Sequence, residues 1–301
     1  MANVCSDSAP LPNLNGMSST STGDDVTWNL SGFGDEIDES PQVQLAVLEA
    51  LGARHIEVRS AWGVNIVDLD AEQLSALKSI IDAAGFGVSA IASPIGKVDV
   101  SLPVEHEVER LARAINAAHV LGSGYVRIFS FYRGESISAE AIRDDVIVRM
   151  RALADLAERE GVVLLHENEK EIYGDVPERV LDIVESVGSD ALRLAWDNAN
   201  FVQCGVRPFT DAWPLLHEHV EYLQVKDALF ADGTVVPAGE GDGQLLETVT
   251  ALRDAGYRGF ASLEPHLAGG FALGGFSGPR AFGTAARAFA RLTDAIGVTT
   301  A

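Results

Sequence analysis

From Val26 onward the chain repeats one pattern eight times: a short apolar run, a polar loop, then a longer amphipathic segment. The apolar runs fall at Thr27–Ser31, His55–Arg59, Gly87–Ala92, Tyr125–Phe129, Val162–His166, Leu192–Trp196, Tyr222–Val225 and Gly259–Leu263. The amphipathic segments fall at Gln42–Leu51, Ala71–Ala84, Val104–Leu121, Ala139–Glu160, Pro177–Val187, Phe209–His217, Gln244–Ala255 and Gly278–Ile296. Short apolar runs bounded by turn residues are buried strands, and segments with a 3.6-residue apolar period are helices. Strict alternation makes the strands parallel, because each helix carries the chain back across the sheet. Eight pairs predict a single (β/α)8 barrel over residues 26–301, an architecture that needs roughly 250 residues. An open doubly wound sheet is the alternative. Its phosphate-binding turn is missing, since SGFGDEID after the first run has the wrong glycine spacing.

The punctuation agrees. Gly52, Gly85, Gly122, Gly161, Gly188 and Gly256 each follow a helical stretch, where a left-handed residue ends a helix. Ser138 and Asp175 stand where they can cap the next helix, and Pro41 and Pro177 suit first turns. Residues 1–25 are rich in Ser, Asn, Pro and Thr and read as a flexible tail, without the basic start or apolar core of a secretory signal. No run approaches the ~18 apolar residues of a membrane span. Cys5 and Cys204, the only two cysteines, exclude a thiolate metal site and suit a reducing cytosol without a disulfide. A net charge of −22 argues against nucleic acid as a partner.

Four runs end on groups able to bind a hard divalent metal. VVLLHEN, LRLAWDN, EYLQVKD and FASLEPH deliver Glu167, Asp197, Gln224 and Glu264. The C-terminal ends of parallel barrel strands converge on one rim, where active sites sit. Three carboxylates and an amide oxygen make a donor set suited to Mn²⁺ or Mg²⁺. Singly, each has a plainer use: Glu167 as a solvated loop charge, Asp197 as a cap, Glu264 as a strand terminus. Gln224, inside an apolar strand, must find a partner for its amide. Four such coincidences at four consecutive strand ends favour the metal reading.

Other rim residues qualify as substrate contacts. Glu57 and Arg59 share one face of the second strand, and Lys226, two residues after Gln224, can meet an oxyanion or balance the carboxylates. His266 follows Glu264 by two. His166 reads as a hydrogen-bond donor behind the ligands, a general base, or a histidine packed on the strand's other face. The loops on this rim, SPIGKVD, SFYRGES, HENEKEIYGD and PAGEGDG, are polar, whereas AGFG, LGSG and ALR occupy the opposite end.

These residues carry a family resemblance over about Leu30 to Ile296. The chain resembles the xylose isomerase-like barrel superfamily, in its sugar phosphate isomerase/epimerase group. The resemblance implies one divalent metal held at the last four strands by Glu, Asp, His or Gln, and Glu; Glu167, Asp197, Gln224 and Glu264 match in order. Gln at the third position is similar to the hydroxypyruvate isomerase branch, and PAGEGDG, with Glu240, to the family's loop after the seventh strand. The activity implied is isomerisation or epimerisation of a sugar by enolisation beside its carbonyl. The resemblance assigns the proton transfer to Glu167 and Glu264; His166 is the reserve base, and Glu57, Arg59, Lys226, Asn200, Glu240 and His266 are the expected sugar contacts.

The sequence also departs from that pattern. Asn200 stands where ketose 3-epimerases place a His three residues after the Asp ligand, and HENEK is not their strand-five pattern. HENEK and VRSAWG resemble a less characterised bacterial subgroup. The large subunits of C-glycoside deglycosidases, which cleave 3-oxo-glycosides with a small partner subunit, use the same barrel and supply the alternative, a metal-dependent lyase. The assemblies consistent with these readings are a homo-oligomer or a complex with a small subunit. An endonuclease IV-type nuclease would need a His-rich site and a basic groove, and a non-catalytic barrel would have no use for three carboxylates at one point.

Overall fold

A computed structural model describes residues 26–134, 136–268, 270–271 and 274–301; the expected tail at residues 1–25, with Cys5, lies outside them. Eight strands, β1 (Val26–Gly32), β2 (His55–Val58), β3 (Gly87–Ala92), β4 (Tyr125–Ile128), β5 (Val163–Glu167), β6 (Leu192–Asp197), β7 (Val220–Val225) and β8 (Phe260–Leu263), form one parallel curled sheet. The neighbours run β1-β8-β7-β6-β5-β4-β3-β2, and a parallel bridge from Phe33 to Glu57 joins the first strand to the second. The barrel is therefore closed.

One element beyond the expected eight pairs helps close it. A ninth strand, β9 (Val298–Thr300), pairs with the start of β1, Val26 opposite Val298. Asn29 donates its N–H to Gly259 beside β8, whereas Leu30 donates to Ala301. Successive amides of a strand point to opposite edges, so β9 lies on the β1 edge that faces β2.

The helices α1 (Pro41–Ala50), α2 (Ala71–Ala83), α3 (Val104–Leu121), α4 (Ala139–Glu160), α5 (Pro177–Val187), α6 (Asn198–Gln203), α7 (Trp213–Leu216), α8 (Leu245–Asp254) and α9 (Gly278–Ala295) supply the outer layer. Most of the core lies between them and the sheet, with Leu45, Leu74, Leu111, Met150, Ile183 and Phe289 all buried. All six glycines read as helix stops have positive φ. Gly161 shows why: at φ 69° its N–H turns back to the carbonyls of Ala157 and Glu158, ending the longest helix. Ser138 caps that helix at the other end through Ala141 N–H. Asp175 does not cap α5, because its carboxylate is taken by Arg179. Among the described residues no helix is long and apolar enough to cross a membrane.

Inside the barrel the residues sit in layers. Ala90, Leu165, Ala195 and Tyr222 form a small buried cluster, with Tyr125, Val163 and Phe260 packed against it. Side chains alternate along a strand, so two residues further on β5, β6 and β7 the same inward face carries Glu167, Asp197 and Gln224. An apolar floor thus lies directly beneath a polar layer.

Candidate metal centre

The polar layer converges. Carboxylate oxygens of Glu167, Asp197 and Glu264 all lie within 4.8 Å of one another, and all three residues are buried. Gln224 places one terminal atom of its amide 3.1 Å from both oxygens of Glu167. As nitrogen, that atom donates to the carboxylate; as oxygen, it joins the acceptors directed at one point, as ligands around a cation do.

Neighbouring side chains fix each of these carboxylates differently. Glu167 accepts from Arg127 Nη1 at 2.7 Å and from Asn200 Nδ2 at 2.8 Å. Asp197 uses Oδ1 to cap α6, accepting the Asn200 N–H at 2.8 Å. Its backbone is held by Asn168, which donates to the Asp197 carbonyl and accepts its N–H. Asp197 Oδ2 is fully buried, and Lys226 Nζ stands 2.8 Å from it as its ion-pair partner. Glu264 receives Lys226 Nζ at 2.9 Å, with Arg59 Nη1 at 3.4 Å and His266 Nε2 at 3.3 Å.

Electrostatics follow from crowding. Six buried carboxyls, Asp35, Glu36, Glu57, Glu167, Asp197 and Glu264, face three buried permanent cations, Arg59, Arg127 and Lys226. Burial, reinforced by Glu167 and Glu264 and opposed by Lys226, pushes the Asp197 carboxyl up to about 7. Burial acts on Glu264 in the same direction, but Lys226, His266 and Arg127 outweigh it and hold that carboxyl well below the usual range. The Lys226 ammonium is desolvated, yet Asp197, Glu264 and Glu167 raise it well above an ordinary lysine. A divalent cation among these oxygens would offset the remaining negative charge. The donor set, hard oxygens of three buried carboxylates beside an amide, fits such an ion. A second group, Glu36, Glu264 and His266, also brings ligand atoms within 4.8 Å.

The cavity above the layer is lined by Arg59, Lys97, Arg127, Phe129, Glu169, Lys226 and His266, with Glu167 and Glu264 among them. Arg59 is fixed by Asp35 at 2.9 Å and by the Gly275 carbonyl at 2.9 Å. The guanidiniums of Arg59 and Arg127 lie 5.0 and 5.5 Å from the centre of the Phe33 ring, which keeps both charges facing the pore. His266 adopts a left-handed φ of 47°. Its N–H donates to Glu36 Oε2, which also accepts Ser277 Oγ, so its ring stands between Glu36 and Glu264.

Four expected site residues are placed elsewhere. His166 takes the alternate face of β5, packed against Gly174; among the described residues neither ring nitrogen has a hydrogen-bond partner, and burial pulls it down to about 3. It is not brought to the carboxylates. Glu57 lies one layer lower, accepting Tyr222 Oη at 2.9 Å, and burial, against Arg127 and Ser262, raises it to about 7. Glu240 is exposed and meets Arg291 at 3.3 Å. Its loop is turned by Asp227, whose carboxylate accepts the N–H groups of Gly239, Gly241 and Gly243. Asn200 commits its amide hydrogens to Glu167 and to the Asn168 carbonyl, behind the carboxylate cluster.

Arg127, Lys97, Glu169 and Asn168 were not singled out from sequence. Arg127 had a signal, a charge inside the apolar run YVRIF that must face a polar interior or find a partner. Lys97 lies 3.0 Å from Glu169 and 4.2 Å above the Phe129 ring, contacts between separate loops that no local pattern announces.

The family model described as xylose isomerase-like TIM barrel matches residues 45–292. The chain belongs to this family. It is 29% identical over 216 residues, 67% of this chain and 77% of the relative, to 2-epi-5-epi-valiolone 7-phosphate 2-epimerase of Actinoplanes sp.. Among solved structures, a D-tagatose 3-epimerase-like protein aligns with a TM-score of 0.73 at 18% identity, covering 89% of this chain and 98% of that one. A xylose isomerase-like TIM barrel protein from Mycobacterium smegmatis in complex with magnesium aligns with a TM-score of 0.66 at 19% identity, covering 90% and 98%. At these identities the structural likeness speaks for the fold alone, that of the xylose isomerase-like TIM barrel.

Proposed function

We propose that this chain is a divalent-metal-dependent sugar isomerase or epimerase that enolises its substrate beside the carbonyl. Glu167, Asp197, Gln224 and Glu264 would hold Mn²⁺ or Mg²⁺, and the bound ion would supply Lewis acidity to the substrate's oxygens. The observation that carries this reading is the convergence of three buried carboxylates at the ends of β5, β6 and β8, with the Gln224 amide on β7 directed at the same cluster.

The chain's own groups account for the proton. Glu264, kept ionised by Lys226, His266 and Arg127, accepts the proton from the carbon beside the carbonyl, and Glu167, approached from the other side of the cluster, returns it. Arg59, Arg127 and Lys226 line the cavity and meet the negative charge that develops on oxygen. The substrate is a small carbonyl-bearing sugar or sugar-like ring in the cytosol; the named activity of the Actinoplanes relative brings phosphorylated substrates into the same range.

The test is proton exchange. Purified protein supplied with Mn²⁺ or Mg²⁺ is incubated with ketoses, their phosphates and 3-oxo-glycosides in D₂O and followed by NMR. Deuterium at the carbon beside the carbonyl, in a product of unchanged mass and only with metal present, is the expected result. Release of an aglycone would put the lyase in its place, and metal-independent exchange would remove the ion from the reaction.

A further inference from the structure

We infer that Lys226 is a built-in counter-ion of the metal centre, its ammonium and a divalent cation taking the same carboxylates in turn. The inference rests on the metal reading above and concerns what occupies those oxygens otherwise. Lys226 Nζ lies 2.8 Å from Asp197 Oδ2 and 2.9 Å from Glu264 Oε2. These residues belong to the group whose ligand atoms lie within 4.8 Å of one another. An ion coordinated at about 2.0–2.6 Å by those oxygens would press directly on the ammonium, and like charges at such a separation repel strongly in a buried site.

The other cations do not stand in that place. Arg127 reaches Glu167 at 2.7 Å, and Arg59 is anchored by Asp35 and Gly275. Lys226 differs in being a compact charge on a flexible stem. It also has somewhere to go. Glu169 lines the same cavity and acts electrostatically on Lys226, so an ammonium leaving Asp197 moves toward a second carboxylate and into the space a substrate would fill. Metal loading thereby weakens one contact and frees a cation to meet the substrate's oxyanion. The two events are coupled, and metal affinity is tuned by a residue that is not a ligand.

The experiment measures metal binding rather than turnover. Chelator-stripped wild type, Lys226→Met, Lys226→Arg and Lys97→Met are titrated with Mn²⁺ by calorimetry at one fixed pH, with circular dichroism to verify folding. Lys226→Met is expected to bind Mn²⁺ at least about tenfold more tightly, the smallest factor that a charge in contact exerts on a neighbouring equilibrium. Its metal-free melting temperature should fall while the metal-loaded one holds. Lys226→Arg should bind no more tightly than wild type, and Lys97→Met, which removes a charge of the same cavity that touches no ligand, should change little. If Lys226→Met folds only with Mn²⁺ present, that dependence supports the same conclusion, and Lys226→Gln serves for the titration. Unchanged or weaker binding by the Met variant, or equal tightening by Lys97→Met, would overturn the inference while leaving the metal reading intact. No Mn²⁺ or Mg²⁺ binding by wild type and variants alike would remove both.

Discussion

The side-chain amide of Asn200 donates to Oε1 of Glu167 across 2.8 Å. The backbone N–H of the same residue donates to Asp197. One residue therefore sets the spacing of two proposed ligands from strands β5 and β6. Partners that orient ligands in this way are worth about 10–100-fold in metal affinity or activity. Asn200→Ala should fold, because the helix cap is made by a backbone N–H that Ala retains, yet lose Mn²⁺ affinity by a factor in that range. Calorimetric titration at unchanged circular dichroism would measure it, and wild-type affinity would deny Asn200 this role.

Glu264→Gln should keep the barrel, since the amide is nearly isosteric, and lower turnover by about 10²–10⁴-fold, the range of general acid–base contributions. Steady-state kinetics at saturating Mn²⁺ separate loss of the base from loss of the ion. Near-normal turnover under those conditions would move the proton transfer to another group.

Asp227 and Glu240 illustrate how differently two acids near one loop behave. Asp227 is buried and accepts four backbone N–H groups, those of Ala228, Gly239, Gly241 and Gly243. Asp227→Ala leaves those donors without a partner and should cost about 3 kcal/mol, from the usual penalty for unsatisfied buried groups. Glu240→Gln changes only an exposed ion pair and should alter neither stability nor turnover measurably. Urea denaturation and kinetics on both variants check the contrast.

Glu57 should leave a signature in the pH dependence of stability. Burial raises its carboxyl from 4.5 to about 7 in the folded chain. The folded state then holds a proton that the unfolded state has lost, so this group's contribution is greatest at low pH and declines as pH rises from about 4.5 to about 7. Glu57→Gln mimics the protonated form and should remove that decline. The variant's stability relative to wild type should grow across this window, by up to about 3 kcal/mol. Equal slopes for both proteins between pH 4.5 and 7 would contradict the assignment.

What the sequence revealed depended on how local the signal was. Barrel strands and the polar groups gathered at their ends were legible because an apolar run ending in a polar group is a local pattern, repeated four times. His166 could have been set aside by the same logic: neighbours on a strand face opposite ways, so it cannot share the inward face with Glu167 once β5 runs through both. Glu240 points outward to Arg291 because the direction of its loop is decided by Asp227 from another segment, a contact no local pattern announces. The helix α6 escaped notice because six residues carry too little period to read, and β9 because three residues carry none. Lys97 and Glu169 meet only after the barrel has closed.

Anomalous diffraction from crystals grown with Mn²⁺ bears most directly on the proposed centre. One ion should appear with oxygens of Glu167, Asp197, Gln224 and Glu264 at about 2.0–2.6 Å, the Gln224 amide turned oxygen-inward and Lys226 displaced from Asp197. An ion bound instead by Glu36 and His266, or no ion near the four strand ends at saturating Mn²⁺, would contradict it.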